Sequence, residues 1–255
     1  MKLLFDIGNT RIKWAFDTGS ELLYPGELVH RGLTPEQAVA FIADFKPANN
    51  IDSVWAINVA GVELEHALAK ALESRFGLTL QLARTTKCCG EVINGYTAIE
   101  QLGADRWAVI VGAWQHFQRS VCVVDMGTAV TIDAVAANGR HQGGIILPGL
   151  ALMTQSLNRD TSDIAGFASH SQGNITGDDW FGRDTFSAVQ CGALFALRSV
   201  IFQALKQISE QDGITPLVVL TGGDAEDLMP LPDLEVELMP MLVLEGLRYL
   251  AVEAE

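Results

Sequence analysis

The first thirty positions place apolar residues in short runs and alternations rather than in helical stripes. Lys2–Asp6 is mostly apolar, Arg11–Phe16 alternates, and Glu21–Arg31 is a third extended segment interrupted by Pro25-Gly26, a pattern that predicts three strands. At Thr34 the period changes. Thr34 is placed as an N-cap, Pro35 in the first turn and Gln37 as the closing member of a capping box. Val39, Phe41, Ile42 and Phe45 then supply the buried stripe of a helix. Ile51–Val59 reads as a buried strand, Glu63–Phe76 as a helix stopped by Gly77, and Leu78–Ala83 as a further strand. A long helical stretch is expected from about Ala98 to Phe117.

The second half repeats the plan. Ser120–Asp125, Ala129–Ala136 and Gly139–Leu147 predict three strands, and Pro148-Gly149 starts a helix through Leu157. A polar stretch from Asn158 to Asp179 reads as a loop or lid. A long helix near Gly182–Ser209, a strand at Leu217–Thr221, a short helix after Gly223, a strand at Leu234–Leu238 and a helix at Met241–Ala251 follow. Two tandem β-β-β-α-β-α-β units predict an α/β fold. It resembles two ribonuclease-H-like (actin-like ATPase) lobes with mixed central sheets, divided as 1–117 and 118–255. In that arrangement, shared by actin, chaperone ATPases and sugar kinases, the nucleotide sits in a cleft between the lobes.

Composition narrows the function. A chain of 255 residues with 49% hydrophobic content can bury a sizeable core. The net charge of −14 argues against a nucleic-acid partner, which needs a basic face. No apolar run approaches the ~20 residues that cross a bilayer, and the opening MKLLFDIGNT reads as a strand rather than a signal, so a cytoplasmic protein without membrane attachment is expected. Cys88, Cys89, Cys122 and Cys191 show no metal or disulfide spacing, in keeping with a reducing compartment, and the scattered histidines do not form a zinc site.

One short pattern occurs twice. FDIGNTRIKWA at 5–15 and VDMGTAVTIDA at 124–134 each read apolar-Asp-apolar-Gly, leading into an alternating strand. Gly8 and Gly127 would permit a tight turn with positive φ and close backbone approach to a phosphate. Amide groups there, with the side chains of Asn9, Thr10 and Thr128, can donate to phosphate oxygens. Asp6 and Asp125 stand at strand ends where a cation can be held, and Lys13 can reach a phosphate as a point charge. Ordinary hairpin chemistry explains one such turn; two copies, each heading a three-strand unit, favour function.

The segment NGYTAIEQLGADRWAVIVGAW, 94–114, opens an apolar helix at Gly103-Ala104-Asp105-Arg106. Asp105 can accept a proton from a substrate hydroxyl, and Arg106 can bind a carboxylate or the transferring phosphoryl group. Equally, Asp105 can be a helix cap and Arg106 a surface partner. Trp107 and Trp114 read as packing. GGIILPGL at 143–150 and LTGGDAEDL at 220–228 are Gly-rich turns into helices, each weak alone.

Together these motifs resemble the type III pantothenate kinases. DIGNTRIKW is similar to that family's phosphate motif, LGADRW to its substrate and base motif, VDMGTAVTID to its second phosphate and cation motif, and LTGGDA to its adenosine-side motif. The resemblance spans almost the whole chain. It implies ATP-dependent phosphorylation of pantothenate to 4′-phosphopantothenate in coenzyme A synthesis, with Asp105 as general base. It further implies that Tyr96, Gly103, Ala104, Asp105 and Arg106 line the pantothenate pocket. Asp6, Ile7, Gly8, Asn9, Thr10, Arg11, Ile12 and Lys13 would hold ATP with Thr128. Asp125 would bind a monovalent cation, potassium or ammonium, and Mg2+ would accompany the nucleotide. Thr185 would close the site across a homodimer interface. Two positions depart from the family pattern: Ile99 stands where a proline is common, and Asp184 where asparagine commonly precedes the threonine. Another actin-like kinase acting on a sugar or acetate, and a nucleotide-binding regulator without turnover, are the alternatives. The chain is short for the former, and the joint presence of Asp105, Lys13 and both turns counts against the latter.

Overall fold

The computed structural model describes residues 1–43, 50–160 and 181–254. The amino-terminal half contains strands β1 (Lys2–Ile7), β2 (Arg11–Asp17) and β3 (Leu22–Val29), helix α1 (Pro35–Ala43), β4 (Ser53–Asn58), α2 (Val62–Phe76) and β5 (Leu80–Leu82). A small hairpin, β6 (Cys88–Cys89) and β7 (Val92–Ile93), and a 3-10 turn at Ile99–Gln101 precede α3 (Ala104–Phe117). The carboxy-terminal half contains β8 (Val121–Met126), β9 (Ala129–Val135), β10 (His141–Pro148), α4 (Leu150–Asp160), α5 (Thr185–Asp212), β11 (Leu217–Thr221), α6 (Ala225–Leu228), β12 (Val236–Leu238) and α7 (Leu242–Glu253). The two five-stranded sheets have the same order, β3-β2-β1-β4-β5 and β10-β9-β8-β11-β12. In each, the first strand pairs antiparallel with the second and parallel with the fourth.

The chain divides into two compact units. One holds Met1–Phe117, Gly139–His141 and Met241–Glu255, and the other Gln118–Asn138 and Gln142–Pro240. These limits differ from a single cut at residue 117, because α7 packs on α3, β1, β2 and β4. The crossing of α3 and α7 is close enough that glycine is required. A β-carbon on Gly246 would lie 1.9 Å from the carbonyl oxygen of Ala108, and one on Gly112 would lie 2.9 Å from the Gly246 nitrogen.

In the first unit, Leu3, Phe5 and Ile7 alternate along β1 with Leu4. The former join Ala38, Leu64, Leu68 and Leu72 of α1 and α2 in one core cluster. Covering a sheet on both faces demands such near-continuous apolar strands. The α1 capping box forms as expected: Gln37 N–H donates to Thr34 Oγ1 at 3.3 Å, and Thr34 N–H donates to Gln37 Oε1 at 2.9 Å. Of the stripe expected to follow it, Val39 is buried, whereas Phe45 and the side chains of Phe41 and Ile42 lie outside the described residues. β3 runs through Pro25-Gly26, but its ladder with β2 shifts register there, Gly26 pairing with Trp14 and Leu23 with Phe16. That strand is at the sheet edge, where proline's missing N–H costs no ladder bond, and a β-carbon on Gly26 would fall 2.5 Å from the Trp14 indole.

In the second unit Leu197, Ile201, Leu205 and Ile208, spaced along one stripe of α5, pack against Val124, Met126, Val130, Ile132 and Val218. Among the described residues α5 is a helix long and apolar enough to span a bilayer by length and composition, unlike the expectation from the unbroken runs. The stripe Leu197, Ile201, Leu205 and Ile208 is buried against the sheet, while 28% of the apolar window as a whole is buried. The stretch read as a lid begins inside α4, and from residue 161 to 179 it lies outside the described residues.

Candidate active site

The helical stretch expected from Ala98 breaks at Leu102-Gly103, and the break creates the start of α3. Asp105 sits in the first turn, half-buried, and its Oδ1 accepts the N–H of Arg106 at 2.8 Å. Arg106 is buried, and its guanidinium donates to the Tyr96 hydroxyl at 2.8 Å. Tyr96 in turn stacks on His141, with ring centroids 5.7 Å apart and planes 16° from parallel. A series of hydrogen bonds fastens this segment to the helix: Asn94 Oδ1 accepts the Tyr96 N–H, Trp107 Nε1 donates to Thr86 Oγ1, and Thr85 Oγ1 donates to the Leu102 carbonyl. Tyr96, Gly103, Ala104, Asp105 and Arg106 therefore form one cluster. Trp107 is fully buried, as a packing residue should be.

The first Asp-Gly turn connects β1 and β2. The register pairs Asp6 directly with Lys13, so the two side chains share one face of the sheet, and pairs Ile7 with Ile12. Both isoleucines are fully buried in the core, so only their main chains are offered to a ligand. Arg11 is bound to Glu27 of β3 at 3.0 Å. Asn9, at the tip, is exposed. Behind the turn stands His30, whose Nε2 donates to the Gly8 carbonyl at 2.7 Å and whose backbone N–H donates to the Thr10 carbonyl at 3.0 Å.

The second turn belongs to the other unit and is one residue shorter, Met126 pairing with Val130. Contrary to expectation, neither Gly8 nor Gly127 has positive φ. A β-carbon on Gly8 would sit tightly, 3.2 Å from the Arg11 carbonyl oxygen, whereas one on Gly127 would be in ordinary contact, 3.4 Å from that of Ala129. Positive φ occurs instead at Gly222, after β11. A β-carbon there would lie 2.5 Å from Asp125 Oδ1 and 2.4 Å from the Met126 carbonyl oxygen. Gly149, before α4, meets the turn from another side: its N–H donates to the Thr128 carbonyl at 3.0 Å, and a β-carbon on it would lie 2.3 Å from the Gly127 carbonyl oxygen. The two Gly-rich turns that were weak signals by themselves thus both abut Asp125–Thr128.

The two polar atoms nearest the space left by Gly222 are oxygens, Asp125 Oδ1 and the Met126 carbonyl, and oxygen is the donor type that a hard alkali cation takes. Thr185 enters from a separate element, as the first residue of α5. Asp184 is its N-cap, accepting the Ser187 N–H at 2.8 Å, an interaction that holds the Asp184 carboxyl below its ordinary range. His30 and His141 went unnoticed in the sequence, because a single histidine outside any spacing pattern carries no signal until its neighbours are known.

A family model described as Type III pantothenate kinase matches residues 2–207. A type III pantothenate kinase of Methylobacillus flagellatus is 38% identical over 259 aligned positions, covering 97% of this chain and 96% of the relative. Among solved structures, a protein described as a Baf family transcriptional activator from Campylobacter jejuni aligns with a TM-score of 0.61 at 21% identity, over 99% of this chain and 98% of that one. A protein assigned as a 2-dehydro-3-deoxygalactonokinase from Sinorhizobium meliloti aligns with a TM-score of 0.60 at 12% identity, over 100% and 99% of the respective chains. At such identities the structural likeness speaks for the fold alone, the doubled α/β unit.

Proposed function

Because the chain belongs to the type III pantothenate kinase family, we propose that Asp105 is the general base through which it activates the primary hydroxyl of pantothenate. Family membership makes it an enzyme, a kinase that phosphorylates pantothenate in coenzyme A biosynthesis with ATP as donor. The observation that carries the Asp105 assignment is its carboxylate at the start of α3. One oxygen is held by the Arg106 N–H, and the other has no partner among the described residues.

In this reading the hydroxyl oxygen attacks the γ-phosphorus, the bond to the β-phosphate bridging oxygen breaks, ADP leaves, and the hydroxyl proton passes to Asp105 late in a loose transition state. Arg106, fixed by the Tyr96 hydroxyl, meets the substrate carboxylate or the moving phosphoryl group, and Tyr96 forms a wall of the pocket. The amides of Asn9 and Thr10, with Lys13, bind the ATP phosphates, and Thr128 is a phosphate contact on the second turn. Asp6, beside Lys13, would hold Mg2+ on the nucleotide, and Asp125 a potassium or ammonium ion. These ions supply positive charge that offsets repulsion between the carboxylates and the triphosphate.

A homodimer is supported by the outward face of α5, where Phe195 is 52% and Phe202 39% exposed, and by the exposure of Ile145 and Ile146 on β10 of the same unit. Thr185, at the start of the same helix, would then serve the partner's pantothenate pocket. The proposed location is the cytoplasm.

The test is a coupled ADP-release assay with pantothenate. Asp105→Asn should lose about 10²–10⁴-fold in kcat, the usual contribution of a positioned base, while ATP still binds. Near-wild-type turnover by that variant would remove Asp105 from the role. Sedimentation of Phe202→Glu should show monomer where the wild type shows dimer.

A further inference from the structure

We propose that His30 is a positioning residue for the nucleotide, setting the Gly8–Asn9 peptide so that its N–H faces the phosphates. This rests on the reading of residues 8–10 as an ATP phosphate turn.

The two carbonyls that flank Asn9 are both taken from behind by one residue: Gly8 by the His30 ring at 2.7 Å and Thr10 by the His30 backbone N–H at 3.0 Å. A carbonyl only accepts, so His30 Nε2 carries a proton. In a trans peptide the C=O and the next N–H point in opposite directions. Fixing the Gly8 C=O toward His30 therefore turns the Asn9 N–H the other way, outward at the exposed tip. Gly8's own N–H is engaged by the Arg11 carbonyl at 3.0 Å. A glycine-containing turn can flip this peptide at little steric cost. The flipped form would point a carbonyl oxygen at the anion, and the imidazole selects against it.

In the second turn carbonyls are also taken, at the positions that match Ile7 and Asn9 rather than Gly8 and Thr10. There the Thr128 carbonyl is taken by the Gly149 N–H and the Met126 carbonyl by the Asp224 N–H, each at 3.0 Å. In both units, then, carbonyls of the phosphate turn are occupied from behind. In the first unit a side chain, His30, does part of this.

The experiment compares wild type, His30→Phe, which keeps a ring without a donor, and His30→Gln, whose amide can reproduce the Nε2 donor. Steady-state constants are measured for ATP and pantothenate separately, with ATP binding by calorimetry and melting without nucleotide. The expected result is a KM for ATP raised about tenfold in His30→Phe, the scale of one lost hydrogen bond to a turn that must be ordered, with KM for pantothenate unchanged and His30→Gln within about threefold of wild type. A wild-type KM for ATP in His30→Phe, equal rises for both substrates, or equal loss in both variants overturns the proposal. Should His30→Phe not fold, the wild-type His30 Nε2–H resonance decides: a shift on adding ATP supports the role, and no shift overturns it. If wild-type protein binds no ATP, the reading of the turn itself fails and takes this proposal with it; wild-type binding with unaltered variants sinks only the role of His30.

Discussion

Asp105 Oδ1 lies 2.5 Å from where a β-carbon on Gly103 would stand. The carboxylate folds back over the residue just before its own helix, and glycine there leaves it that room. Because the obstructed group is the end of a flexible side chain, Gly103→Ala should cost little stability. It should instead swing the proposed base off its position. The expected outcome is a kcat lowered by about 10²-fold, as for a catalytic group misplaced by an ångström, with melting temperature and ATP binding near wild type. An unchanged kcat would mean that the carboxylate position is immaterial to the chemistry.

Gly222 makes a second prediction. A methyl group there would press on Asp125 Oδ1 and the Met126 carbonyl, and the left-handed backbone, φ 96°, resists any larger residue. Wild-type activity should be lost in sodium-only buffer and restored by potassium or ammonium. Gly222→Ala and Asp125→Asn should abolish that difference. Equal wild-type rates in sodium and potassium would remove the cation from Asp125.

Lys13 stands beside Asp6 across the β1–β2 ladder. Lys13→Met should raise KM for ATP about tenfold or more, the value of one charged contact to phosphate, without altering KM for pantothenate. A shift confined to pantothenate would contradict its placement with the phosphates.

The α3–α7 crossing yields a stability prediction. A β-carbon on Gly246 would sit 1.9 Å from backbone, not from a side chain that can step aside. Gly246→Ala should destabilise by about 1–3 kcal/mol, the usual cost of overpacking, read as a lower urea midpoint with an unchanged slope.

Thiol reactivity should be confined to one cysteine. Cys88 is exposed, whereas Cys89, Cys122 and Cys191 are buried. Burial, with the Glu253 carboxylate, pushes the Cys89 thiol up to about 12, and burial, with Asp133, does the same for Cys122. Only a thiolate attacks. At neutral pH an alkylating reagent should label Cys88 rapidly in the folded protein and all four cysteines in denaturant; rapid labelling of Cys122 in the folded state would contradict its burial.

Much of this was legible in the residues themselves. The strand alternation, the Thr34–Gln37 box and the Gly77 stop are local effects, and each formed where the pattern set it. The doubled Asp-Gly turn carried the duplication, and the family motifs carried the chemistry. What stayed hidden depends on distant neighbours. Neither Gly8 nor Gly127 has the backbone hand the turn pattern suggested, and only at Gly8 does a carbonyl crowd the position. That β3 continues past Pro25 with a shifted register follows from its edge position, which pairing alone decides. The β6–β7 hairpin is two residues per strand, too short for any period to register. His30 and His141 acquire meaning only once the turn and Tyr96 are beside them.

The return of α7 to the first unit has a consequence for synthesis. Residues 1–117 emerge from the ribosome with one face of their sheet lacking the helix that covers it, and the missing piece, 241–254, follows only after every residue of the second unit. The half carrying Asp105 thus matures last although it is translated first, and until then its bare apolar surface is a target for chaperones.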